Sequence, residues 1–128
     1  MTIVRKPKVN GIYFAYDNHL KIAGKSFTKG HTIIVISINK KSKTARVKTI
    51  TTLGEYDAKK QKWLYRYNKI DDVREGYILA IPTNQLKSKN FSGVCHKIRT
   101  IKLNQIHYKN QSNRIKFPRR YLKLIHRK

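Results

Sequence analysis

The stretch that most constrains the fold is an apolar run joined by a cationic turn to a second, alternating run. Residues His31–Ile38 (HTIIVISI) are almost continuously apolar and β-branched over the length of one strand, which is typical of a strand buried on both faces. After the polar connection NKKSK, residues Thr44–Thr52 (TARVKTITT) alternate small apolar side chains with Arg46 and Lys48. That alternation predicts one buried face and one wet, cationic face. Together the two runs predict an antiparallel hairpin.

Strand patterns dominate the rest of the chain. Strands are predicted at Gly11–Tyr16, Gly76–Pro82 and Gly93–Ile101, and Lys62–Ile70 is either a strand or a short helical turn. The segment LNQIHYKNQ predicts a turn or two, and Pro118 is suited to the first position of a short terminal helix. We therefore predict a mainly β protein: a small SH3-like barrel or a strongly curved antiparallel sheet with one or two short helices. Residues 1–128 form one domain in this prediction, and 109–128 form a basic, partly helical C-terminal extension.

The charge of the chain indicates its partner. Thirty Lys and Arg residues oppose six Asp and Glu residues, for a net charge of +24. Such a field attracts polyanions, because neutralised phosphates release their condensed counterions. The six acids all lie within the first 75 residues, and thirteen cations follow from Gly76 to Lys128. Nucleic acid is the favoured partner and an acidic protein the second; without an amphipathic helix of wide apolar face, no membrane partner is expected.

Several kinds of chemistry have no motif in this chain. It contains neither GxxxxGK[ST] nor GxGxxG, so no nucleotide cofactor is predicted. One cysteine, Cys95, and five scattered histidines have no zinc spacing. The adjacent acids Asp71 and Asp72 would point to opposite faces of a strand, which disfavours a two-metal nuclease. With no apolar span of 18 residues, no signal segment and a single thiol, we expect a cytoplasmic protein without metal or cofactor.

RNA cleavage without a metal needs a base, an acid and groups that stabilise charge on phosphorus. His31, at the start of the buried strand, is the candidate base or acid. Thr51 and Thr52, at the end of its partner strand, can hydrogen-bond a phosphate oxygen. His96, next to Lys97, is a second candidate acid. The alternative interpretation is that these residues are ordinary β-sheet surface.

The predicted RNA-binding residues are cations and aromatic side chains. Trp63, Tyr65 and Tyr67 share one face of an extended segment, either as a platform on which unpaired bases stack or as part of the core. The terminal RRYLKLIHRK is either a solvated basic tail or a phosphate clamp. The full set is Lys29, Lys40, Lys41, Lys43, Arg46, Lys48, Trp63, Tyr65, Arg66, Tyr67, Lys97, Arg99, Arg119 and Arg120.

Four segments, in this order, resemble the MazF/PemK family of toxin endoribonucleases. NGIYFAY (Asn10–Tyr16) resembles the opening GDIYYAD strand of that family, and HTIIVIS (His31–Ser37) resembles RPVLVIS. VKTITT (Val47–Thr52) is similar to the next strand, which ends in ITS or ITT. In GVCHKIRTIKLNQI (Gly93–Ile106) the IRTI core matches the family's VLLDQIRTIDKxRL. The resemblance covers about half of the chain.

The resemblance implies an SH3-like barrel, usually dimeric, that cleaves single-stranded mRNA without metal and is neutralised by an acidic antitoxin. The family's active-site arginine falls on His31, and its catalytic Thr or Ser falls on Thr51. This chain departs from the pattern at that histidine, at His96–Lys97 in place of DQ, and in the long basic segment Gly54–Leu86. Two functions therefore remain open: a diverged toxin endoribonuclease, or a non-catalytic nucleic-acid-binding protein on the same barrel, such as a mobile-element accessory or ribosome-associated protein.

Overall fold

A computed structural model of the 128-residue chain describes residues 3–21, 29–57, 59–60, 62–65, 78–81, 90–108 and 119–126. Side chains are not described at 52–57, 62–65, 78–81, 90–92 and 120. The elements in chain order are β1 (Ile12–Tyr16), α1 (Asp17–Leu20), β2 (Gly30–Asn39), β3 (Thr44–Asp57), β4 (Lys62–Tyr65), β5 (Ile78–Ile81), β6 (Asn90–Cys95), β7 (Arg99–Lys102), a 3₁₀ turn (Leu103–Gln105) and α2 (Arg119–Ile125).

Strand β3 is the centre of the sheet. Its first residue, Thr44, pairs with Asn39 of β2 and with Lys102 of β7, so these two strands lie on opposite edges of β3. Strands β4 and β6 flank its far end in the same way. Strand β1 pairs with the outer edge of β2, and β5 with that of β6. All of these pairings are antiparallel.

The sheet is covered on both faces, which we call the α1 side and the α2 side. The α1 side buries odd-numbered residues of β1, β2 and β3 with Leu20 of α1. The α2 side buries Ile12, Ile34 and Val94 with Ile125 of α2. Ile33, Ile34 and Val35 are all fully buried, as expected for a strand with apolar residues on consecutive positions. This confirms the prediction that the apolar run is covered on both faces.

The prediction of a mainly β fold with short helices is confirmed. Two irregularities interrupt the register, one between Val35 and Ser37 in the β2–β3 pairing and one between Thr52 and Gly54 in the β3–β6 pairing. Such bulges bend a strand and increase its twist. The sheet nevertheless stays open, because the outermost described strands, β1 and β5, pair with no common neighbour that would close it into a barrel.

Two local predictions differ from the structure. The predicted strand Gly93–Ile101 is two strands, β6 and β7, separated by residues 96–98. The terminal segment is helical at Arg119–Ile125 and is not a solvated tail there, because Ile125 is fully buried and Tyr121 and Leu122 pack beside it.

Candidate active site

The candidate site forms where β1 passes into α1. Strand β1 pairs with the start of β2, with Ala15 opposite His31 and Tyr16 opposite Gly30. The backbone N–H of Asp17 then donates to the carbonyl of Lys29 at 2.9 Å. This pairing brings the first residue of α1 next to the second residue of β2, although fourteen positions separate them in sequence.

An aspartate and a histidine make the central contact. The Oδ1 atom of Asp17 lies 2.8 Å from Nδ1 of His31. The Asp17 side chain is 11% exposed and that of His31 is 32% exposed. A carboxylate only accepts hydrogen bonds, so it holds the imidazole with a proton on Nδ1. The Nε2 atom of neutral His31 is then an acceptor, able to take a proton from a ligand.

Thr51 follows the last residue of β3 that pairs with β2. The pairing ends at Thr32 and Ile50, and the next residues on the two strands are His31 and Thr51. Side chains alternate between faces along a strand, and Ile33, opposite Thr49, faces the α1 side. His31 and Thr51 therefore share that face.

The neighbours of this pair are small. Ala15 lies opposite His31 on β1, and Gly93 lies opposite Thr51 on β6. Within this row of the sheet, His31 and Thr51 are the two side chains able to hydrogen-bond a ligand. The imidazole and the hydroxyl can thus act on one ligand group without a bulky neighbour between them.

Arg99 supports helix α1 in the structure. It pairs with Val47 in β7, and its Nη1 donates to the carbonyl of Leu20 at 2.7 Å. The last carbonyls of a helix have no partner within the helix, and the guanidinium satisfies one of them. The half-buried Arg99, predicted to bind RNA, therefore holds the helix whose first residue orients His31.

The lysines of the hairpin lie far from His31. Lys40, Lys41 and Lys43 occupy the β2–β3 turn and are exposed, as is Arg46. Asn39, at the other end of β2, is eight positions from His31, which is about 26 Å at the rise of an extended strand. The exposed cations of the hairpin and His31 therefore lie at opposite ends of β2.

Lys48, predicted to bind RNA, is buried in this structure. It is 1% exposed, on the α2 side of the sheet. Its Nζ donates to the carbonyl of Ile125 at 2.5 Å and lies 3.3 Å from Nδ1 of His96. At Lys48 the face that was predicted to be solvent-exposed is instead covered by α2. Burial lowers the pKa of Lys48 from 10.5.

His96 is not suited to be the acid of the His31 site. Its contact with Lys48 places it toward the α2 side, away from His31. Burial, and then the charge of Lys48, lower its pKa from 6.5. A histidine with a lowered pKa is mostly neutral at pH 7 and has no extra proton to donate.

The other predicted residues are dispersed. Lys29, Lys97 and Arg119 are exposed, and Lys29 lies two residues before His31. Thr52, Trp63, Tyr65 and Arg120 are placed in their strands or helix, but their side chains lie outside the described part. Arg66 and Tyr67, like Asp71 and Asp72, lie outside the described residues.

Neither the protein-family models nor the curated proteins compared with this chain match it. The resemblance to the MazF/PemK toxins therefore remains an expectation from short segments.

A metal-ligand cluster and a membrane-spanning helix are both absent from the described residues. Within them, no three His, Cys, Asp or Glu side chains are grouped as metal ligands. The helices in the same part of the chain are too short or too polar to cross a membrane.

Sequence reasoning missed Asp17. Its position directly after a predicted strand could have identified it. An acid at the end of one strand of an antiparallel pair lies next to the first residues of the partner strand. The pairing of β1 with β2 was not part of the prediction, so the aspartate was counted only as one of six acids.

Proposed function

We propose that this chain is a metal-independent endoribonuclease of the MazF/PemK type that acts on single-stranded RNA. The observation that carries the proposal is the 2.8 Å contact between Asp17 and the partly exposed His31. A carboxylate that fixes the tautomer of a histidine is the arrangement by which enzymes prepare a general base. The resemblance of the flanking strands and the charge of +24 support RNA as the substrate.

In the proposed reaction, Nε2 of His31 takes the proton of a ribose 2′-hydroxyl. The 2′-oxygen forms a bond to the adjacent phosphorus, and the bond from phosphorus to the 5′-oxygen breaks. The departing oxygen takes a proton from solvent, which leaves a 2′,3′-cyclic phosphate and a 5′-hydroxyl end. The hydroxyl of Thr51 donates a hydrogen bond to a non-bridging oxygen, where charge develops. The exposed Lys29, close in sequence to His31, adds positive charge at this end of the sheet.

Cleavage of single-stranded RNA in the presence of EDTA tests the proposal. The purified protein should release products that end in a 2′,3′-cyclic phosphate. His31→Ala and Thr51→Ala should each abolish nearly all cleavage while circular dichroism stays unchanged. His126→Ala, directly after helix α2, is the matched control and should cleave normally. Intact RNA after prolonged incubation with folded wild-type protein would contradict the proposal.

A non-catalytic nucleic-acid-binding protein is the second candidate. The observation in its favour is that the exposed cations of the β2–β3 turn lie at the far end of the hairpin from His31. Binding at that end needs no catalytic residue. In this case the protein binds RNA in a salt-sensitive way, produces no cleavage, and is insensitive to His31→Ala.

The partners follow from the proposed toxin function. An acidic antitoxin complements a chain of charge +24, and the related toxins are usually homodimers. Cytoplasm is the proposed compartment, since mRNA is the proposed substrate and the chain has one cysteine. A small open reading frame for an acidic protein directly beside this gene would support the antitoxin. Sedimentation with and without that protein measures the oligomeric state.

A further inference from the structure

The turn between β2 and β3 has a fixed backbone. The Oδ1 atom of Asn39 accepts hydrogen bonds from the backbone N–H groups of Lys41 and Ser42, at 3.0 and 3.2 Å. The hydroxyls of Ser42 and Thr44 lie 2.7 Å apart, and Lys43 adopts a left-handed conformation with φ of 56°. Asparagine side chains stabilise turns in this way. The cations of this turn are therefore held on a preformed loop.

A cavity of about 560 Å³ lies at one side of the turn. Three cations border it, namely Lys40, Lys41 and Arg46. All three are exposed, and no hydrogen bond or ion pair joins their charged groups to another described residue. The remaining described lining comes from Ser37, Ile38, Asn39, Thr44 and Thr100, and it contains no carboxylate. Its positive charge is thus available to a ligand.

The sheet register explains how this cavity is built. Arg46 pairs with Ser37 on one edge of β3 and with Thr100 on the other. Directly paired residues lie on the same face of a sheet, so the arginine is flanked on both sides by a hydroxyl. A guanidinium between two hydroxyls matches the oxygens of a phosphodiester group, because arginine binds phosphate through two parallel hydrogen bonds.

A second cavity, of about 590 Å³, lies on the other side of the same turn. It also contains three cations, Arg5, Lys43 and Lys102, and it shares Thr44 with the first cavity. Six cations therefore surround one turn in two adjoining cavities. An extended chain with a regular series of negative charges can occupy both, whereas a single small anion occupies one.

We propose that the β2–β3 turn, with its two cavities, is a second binding site that takes the phosphodiester backbone of a single-stranded polynucleotide. It is separate from the His31 site, which lies about 26 Å away along β2. The site needs no cleavage to operate. It would hold a long strand at a distance from the residues that act on it.

Fluorescence anisotropy with a labelled 20-nucleotide RNA, and with DNA of the same sequence, tests this site. All proteins carry His31→Ala, so that binding is measured without turnover. The test variant is Lys40→Gln, Lys41→Gln and Arg46→Gln together. The matched control is Lys6→Gln, Lys8→Gln and Lys123→Gln, which removes the same charge from exposed positions elsewhere.

The dependence of affinity on salt is the decisive readout. Each lost contact between a cation and a phosphate lowers the slope of log affinity against log salt by about 0.7 for single strands. The test variant should therefore lose about 2 units of slope, and the control much less. Binding of both RNA and DNA supports recognition of the backbone, and tighter binding of RNA supports added contacts to the 2′-hydroxyl.

Two results would overturn the proposal. Equal changes of slope in the test and control variants would mean that only the total charge matters. Displacement of the RNA by poly-glutamate at an equal concentration of charges would identify the site as one for acidic proteins. Cleavage provides an independent check: the test variant with native His31 should cut a dinucleotide normally. If no variant cleaves but the slope still changes, the proposed nuclease function fails and this site remains.

Discussion

At the scale of single residues, two polar contacts connect segments far apart in sequence. Asp17 holds His31 on the α1 side, and Lys48 holds the carbonyl of Ile125 on the α2 side. The two contacts nevertheless differ in their effect on the charged group. The first contact leaves a proton acceptor partly open to ligand, whereas the second places a cation under a helix, where burial disfavours its charge.

Asp17→Asn should reduce RNA cleavage by about 10²–10⁴-fold, which is the usual contribution of general acid–base catalysis. The amide keeps the size of the side chain but no longer compels His31 to keep its proton on Nδ1. Single-turnover rates and binding of uncut RNA should be measured together, and only the rates should fall. If the variant cleaves like the wild type, His31 is not the general base.

Lys48→Met should change the dependence of stability on pH. Because burial lowers the pKa of Lys48 in the folded state, the unfolded chain binds that proton more tightly. The resulting loss of folding stability is fully present below the pKa of Lys48 in the folded state. It is relieved as the pH rises toward 10.5. The wild type should therefore gain stability relative to the variant over that range. Urea unfolding at a series of pH values measures the difference; a constant difference would contradict the prediction.

The same substitution should act on His96. Burial is the larger cause of its lowered pKa, and the charge of Lys48 is the second. Removal of that charge should raise the pKa of His96 without restoring it fully to 6.5. Titration of the imidazole by NMR measures this shift, with His126 as the reference histidine in the same sample.

At the scale of elements, the close approach of β1 and β2 creates the candidate site. Gly30 pairs with Tyr16 and precedes His31. A Cβ atom at Gly30 would collide with the backbone carbonyl of Ala15 and with the ring of Phe14. A backbone atom cannot rotate away as a flexible side chain can. The glycine is therefore needed for the separation of strands that brings Asp17 to His31.

Gly30→Ala should lower the free energy of unfolding by about 1–3 kcal/mol, as overpacking generally does. It should also reduce cleavage, because β1 must move away from β2. Ser37→Ala, at an exposed position of the same strand, is the control and should change stability little. Wild-type stability in Gly30→Ala would show that the two strands can separate without cost.

Helix α2 shows how a short element can be tied to a sheet. Its Ile125 fills the core of the α2 side, and the Lys48 ammonium caps the carbonyl of the same residue. The next residue, His126, contacts Oδ1 of Asn10 through Nε2 at 2.6 Å. Seven helical residues are too few to be stable alone in water, so these tertiary contacts account for the helix.

At the scale of the whole molecule, the charge of +24 on 128 residues acts on folding as well as on binding. Like charges repel more strongly in the compact state than in the unfolded chain. The only described carboxylate side chain, that of Asp17, is engaged by His31. Among the side chains that the structure describes, one carboxylate therefore faces a large excess of cations.

Salt should consequently stabilise the fold. Raising the ionic strength from 0.01 to 0.15 M shortens the Debye length from about 30 to 8 Å, which screens repulsion across the molecule. The midpoint of urea unfolding should move to a higher urea concentration. An uncharged osmolyte at matched osmolarity is the control, because it does not screen charge. An unchanged or lower midpoint in salt would show that repulsion is a minor factor.

Much of the β architecture was predictable from local patterns. His31–Ile38 is apolar at consecutive positions, and such a run is stable only where both faces of a strand are covered. The terminal helix was also predictable, because proline suits the first position of a helix. Pro118 directly precedes Arg119, the first described residue of that helix. These features depend on neighbouring residues in the chain, so they are visible without a structure.

The candidate site depends on contacts between distant segments. Alternation in TARVKTITT indicates that Lys48 and Val47 face opposite ways, but not that α2, from 77 residues farther along, covers the face of Lys48. His31 was recognisable as a candidate base, whereas Asp17 becomes its partner only through the pairing of β1 with β2. The arrangement of the turn lysines apart from His31 likewise follows from the length of one strand. Sequence specifies each strand through local burial preferences, and the folded sheet specifies which polar groups meet, because register and coverage involve residues that no local pattern connects.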